Sequence, residues 1–189
     1  MNNNEKDVLD LFGGADRIVN RVTEMVSTLC TVRGWSAEIL ATRAFPATAR
    51  AAEGQPDSQA HQEFARIKSV ARSLMDQSLS RLPSQRFVLS FLDALGAPLQ
   101  TVLTPQNLSD EDRKYWAGSL KERGMDAGFS STGKLPPESD ATSLELLLAL
   151  DALTSVCEPE PAPTESELQR RHRTRDHVRG ILGLSARTN

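Results

Sequence analysis

Apolar positions recur along this chain with helical spacing and never with the alternation of a half-buried strand. The densest stretch is Ser143 to Val156, SLELLLALDALTSV, where seven of fourteen residues are leucine or valine and only Glu145 and Asp151 are charged. At 100° per residue, Leu146, Leu150, Leu153 and Cys157 form one stripe while Leu144, Leu147 and Leu148 lie on the other side. A helix apolar around most of its circumference has to be surrounded, by the chain's own helices or by a partner. Asp151 falls between Leu144, Leu147 and Leu148. We read it as exposed beside its leucine flanks, the alternative being burial against a basic group that offsets its desolvation.

The cleanest period is Ile18, Val22, Met25, Leu29 and Val32, a heptad-like seam on a helix predicted from about Ala15 to Arg33 and ended by Gly34. Before it, Val8, Leu9, Leu11 and Phe12 predict a short helix that stops at Gly13-Gly14. Trp35 and Ile39 continue an apolar face on a new helix, broken at Phe45-Pro46 before an alanine-rich piece of undefined path. Asp57 or Ser58 caps the next helix, whose Phe64, Ile67, Ala71 and Leu74 are expected to face inward as far as about Leu82. Pro83-Ser84 opens a helix carrying Phe87, Val88, Phe91, Leu92 and Leu95, closed by Gly96 and Pro98. Ser109 opens another, acidic in its first turn and basic in its last, with Trp116 and Leu120 as its inward pair. Residues 124–138 read as a long glycine-, serine- and proline-rich surface loop.

These signals predict an all-α fold: a bundle of about five to seven helices over residues 1–156, a proline-rich spacer over 157–163, and a basic C-terminal helix and tail over 164–189. Thr164-Glu165-Ser166-Glu167 is the capping box of that last helix. Its Arg170, Arg171, Arg173, Arg175 and Arg179 are candidate contacts for phosphate or an acidic partner. The formal charge of −3 over 189 residues excludes a wholly basic coat, so any phosphate-binding surface is local. Cys30 and Cys157 are expected as reduced, buried thiols, with a single disulfide as the alternative. No window has the length and apolarity of a membrane span, and the start has no signal-peptide pattern, which together predict a soluble cytoplasmic protein.

Candidate chemistry is sparse. Gly128 to Lys134 has the spacing of a phosphate-binding loop, but Leu135 stands where the magnesium-binding hydroxyl belongs and Pro136-Pro137 opposes the helix that should follow. Ser131 and Lys134 have the spacing of a lysine-activated serine without its partner motifs. His61, His172 and His177 offer no metal arrangement, and Asn107-Leu108-Ser109 matches a glycosylation sequon only by coincidence with a helix cap. We therefore expect no enzyme, no cofactor and no metal. The expected role is a helical interaction or scaffold subunit of a protein assembly, with Ile18, Val22, Met25, Leu29, Leu144, Leu147 and Leu148 as candidate interface residues. The alternative is a nucleic-acid-binding coat or packaging subunit that uses the C-terminal arginines.

Overall fold

The computed structural model describes residues 7–54, 58–106, 108–123 and 139–159, the side chains of 139–143 excepted. Among these residues the protein is all-α, with a 3-10 turn at Val8–Phe12 followed by α1 (Ala15–Arg33), α2 (Ala37–Ala44), α3 (Pro46–Ala52), α4 (Gln59–Met75), α5 (Gln85–Ala94), α6 (Leu99–Val102), α7 (Asp110–Glu122) and α8 (Ser139–Val156). The spacer, the C-terminal helix and the loop at 124–138 fall outside the described residues, apart from Cys157 to Pro159.

Helix ends sit where side-chain chemistry puts them. The hydroxyl of Ser36 accepts from the Ile39 amide at 3.3 Å, and that of Ser58 from the His61 amide at 3.1 Å. Ser109 and Asp112 cap each other reciprocally at the start of α7. Gly34 takes the left-handed conformation, φ 63°, that lets the Trp35 amide turn back onto the Cys30 carbonyl at 2.9 Å. Three pieces differ from the sequence expectation. The alanine-rich piece is a helix, α3, started by Pro46 in the first turn, where a missing amide costs nothing. A four-residue helix, α6, occupies a stretch for which the sequence predicts no element. And α4 stops at Met75, well short of Leu82: Gln77 adopts φ 52° and the chain leaves the helix there.

Leu82 instead pairs with the end of α8. Its amide donates to the Val156 carbonyl at 3.3 Å, and the Glu158 amide donates to the Leu82 carbonyl at 2.8 Å. This short parallel bridge fixes the exit of α8 and carries Cys157 with it. One core joins every helix except α3, and Phe12, Ile18, Leu40, Ile67, Leu74, Phe91, Leu95 and Leu120 are among its buried side chains. Within α8, Leu144, Leu148, Ala149, Ala152, Leu153 and Val156 are buried, whereas Leu146, Leu147 and Leu150 are half-buried. Water is thus kept from most of that helix's circumference, as its composition requires.

Both thiols are free and buried. Burial pushes the Cys157 thiol up from the usual 9.0 to about 12, against the opposing pull of Arg81, and raises Cys30 in the same way. Because folding favours the protonated thiols, their contribution to stability is complete below pH 9 and is lost as pH climbs toward 12. At pH 8 both thiols are expected to react with a disulfide reagent at least about tenfold more slowly in the native protein than in the unfolded chain. Equal rates would show a core open to solvent.

Candidate interaction surfaces

Helix α1 has more apolar surface than its neighbours cover. Its buried stripe is Ile18, Val19, Val22, Val26 and Cys30, with Thr23 satisfied by donating to the Val19 and Asn20 carbonyls at 3.0 Å each. The heptad positions drift off this stripe. Ile18 and Val22 are enclosed, Met25 and Leu29 are half-buried, and Val32 stands 78% exposed. Beside Met25 a recess of about 410 Å³ is lined by Arg21, Glu24, Thr28, Thr101, Val102 and Thr104. Of the seven candidate interface residues, Ile18, Val22, Leu144 and Leu148 are thus spent in the chain's own core; Met25, Leu29 and Leu147 keep surface.

Glu145 and Asp151 of α8 are both paired to α7 and its end. Arg123 grips Asp151 with both arms of its guanidinium, Nη1 to Oδ1 at 3.0 Å and Nη2 to Oδ2 at 2.7 Å. The Asp151 side chain keeps only 12% of its surface, so the expectation of an exposed aspartate is overturned. The alternative holds: a basic partner compensates the buried carboxylate. Arg113 reaches Glu145, six residues nearer the start of α8, at 3.1 Å. A cleft of about 490 Å³ lies against the Arg123–Asp151 pair, lined also by Asp7, Val8, Tyr115, Trp116 and Glu122. Among the described residues no group of three or more histidine, cysteine, aspartate or glutamate side chains is placed to share a metal ion.

A third surface joins cations to aromatic rings. The guanidinium groups of Arg33 and Arg43 sit 5.0 and 4.5 Å from the centre of the Trp35 ring. Arg33 is also anchored, donating to the Leu95 carbonyl at 2.8 Å beyond the end of α5, whereas Arg43 is exposed. Phe45, at the junction of α2 and α3, packs 5.3 Å from Phe87 of α5, and Arg66 of α4 lies 5.7 Å over the Phe87 ring. This surface is not announced by the sequence, because its cations and rings come from different elements: the end of α1, α2, α4 and α5. Trp35 stands just ahead of α2, outside its helical register, so its nearness to Arg43 has no spacing signal in the sequence.

Arg170, Arg171, Arg173, Arg175 and Arg179 lie outside the described residues, as do His172, His177 and the Gly128 to Lys134 segment. No helix among the described residues is long and apolar enough to cross a membrane. Comparisons of the chain with protein-family models, with curated proteins and with solved structures found no match.

Proposed function

We propose that this protein is a non-enzymatic helical subunit of an assembly, and that copies of it associate through the outer edge of α1. The carrying observation is Val32, 78% exposed at the end of a line of apolar residues in heptad spacing whose other outer members, Met25 and Leu29, are only half covered. Laying the same edge of a second copy against it would bury all three. A cytoplasmic setting suits the free Cys30 and Cys157, since thiols stay reduced there.

Light scattering coupled to size-exclusion chromatography over a wide concentration range tests this. The native chain is expected to gain mass with concentration and Val32→Glu to remain monomeric with an unchanged thermal melt, because residue 32 contributes little to the core. A strictly monomeric native chain would overturn the proposal. A second reading, a coat or packaging subunit that meets nucleic acid, is favoured by one observation: the paired guanidinium groups at the Trp35 ring.

A further inference from the structure

We infer that the surface formed by Trp35, just ahead of α2, with Ile39 and Arg43 of α2 binds single-stranded nucleic acid, which rests on the second reading above and assigns it a site in the helical body rather than in the C-terminal arginines. Trp35 is half-buried and precedes α2 by two residues, Ile39 is 40% exposed within α2, and Arg43, exposed, stands one helical turn beyond Ile39 with its guanidinium folded back over the Trp35 ring at 4.5 Å. The surface therefore offers an aromatic ring with a guanidinium lying over it, and an exposed apolar side chain on the same helix as that arginine.

Two cations within 5.0 Å of one ring repel each other. Among the described residues no carboxylate pairs with Arg33, Arg43 or Arg66; the ion pairs formed are Lys68 with Glu38, Arg113 with Glu145 and Arg123 with Asp151. A phosphate would relieve that repulsion and match the guanidinium fork. The surrounding charge has the right sign. Residues 33–94 hold eight arginines and lysines against six aspartates and glutamates, a surplus of two, whereas the rest of a chain of net charge −3 carries −5. Arg33 is held by the Leu95 carbonyl, but Arg43 can swing from the indole to a phosphate and bare the ring for a base. Stacking on an indole needs an open base face, which a single strand presents and a duplex does not. An acidic peptide would satisfy the cations but would leave the ring unused.

The test is fluorescence anisotropy of the full chain with labelled oligouridylate, oligothymidylate and a duplex of the same length, at low and raised salt. Single strands are expected to bind more tightly than the duplex and to weaken with salt, the two sugars distinguishing RNA from DNA. Trp35→Ala and Arg43→Ala should each weaken binding by about tenfold, while Trp35→Phe keeps most of it. Arg43 is exposed, so its variant is expected to melt like the native chain, which separates loss of contact from loss of fold. Binding should also quench Trp35 fluorescence, leaving the buried Trp116 signal; quenching that persists in Trp35→Phe overturns the site. Changing Arg170, Arg171, Arg173 and Arg175 together to alanine should leave the Trp35 dependence intact. Binding lost in that variant but indifferent to Trp35 and Arg43 would keep the nucleic-acid reading and overturn this site. No binding at low salt would overturn both. Equal competition by polyglutamate would replace nucleic acid with an acidic protein partner.

Discussion

Leu148→Ala is expected to lower the free energy of unfolding by about 2–5 kcal/mol, whereas Leu147→Ala, one residue earlier, should cost under about 1.5 kcal/mol. The two positions have the same chemistry and the same helix, so only their surroundings distinguish them. Leu148 has no solvent-accessible surface, and truncating it removes buried methyl groups and leaves a cavity bounded by helices that cannot close on it. Leu147 is half-buried and loses contacts that water partly replaces. Urea titration resolves the pair, since with a typical slope of about 1–3 kcal/mol per molar urea a loss of that size moves the midpoint by about a molar unit or more. Equal midpoints would show that α8 is not enclosed in the way its burial describes. A large loss at Leu147 instead would place the buried side of the helix on its opposite face.

The same contrast explains which parts of the fold the sequence makes legible. Boundaries with local causes are readable: Gly34 after α1, Ser58 before α4, Gly96 after α5 and the Ser109–Asp112 box before α7 each act through the nearest few backbone groups. The phase of α1 is only partly readable. Seen as a heptad it has a narrow seam, but a helix in a globular bundle buries a wider stripe, and a repeat of 3.5 drifts about 20° per heptad on a straight helix. That drift carries Val32 out of the core and brings Val19, Thr23, Val26 and Cys30 in. The α3 helix has no apolar period to announce it, and α6 is too short to have one. Pairings distant in sequence leave no trace at all. Nothing near Asp151 indicates Arg123, which lies 28 residues away, and nothing near Leu82 indicates the end of α8.

Arg123→Ala is expected to destabilise the protein by about 2–3 kcal/mol, and Asp151→Ala by less, about 1 kcal/mol. Removing one member of a fully buried ion pair costs about 3–5 kcal/mol because the survivor is left desolvated without compensation. Here the two members are unequal. Asp151 retains 12% of its side-chain surface and Arg123 retains 44%, so the lone carboxylate stays largely enclosed while the lone guanidinium can turn to water. The asymmetry also explains why a charge is tolerated inside so apolar a helix. Arg123 stands one residue past the end of α7, where it closes over Asp151 and ties that end to the middle of α8. If the pair sets alignment and adds little net stability, then Arg123→Ala combined with Asp151→Leu should return to within about 1 kcal/mol of the native chain, since a well-packed apolar pair substitutes for a buried ionic one. A double-mutant cycle of Arg123→Ala, Asp151→Leu and the two combined, by urea denaturation, measures this. Single losses that simply add in the double variant would mean that the two groups do not depend on each other, and the bidentate contact would then contribute nothing to how α7 is held against α8.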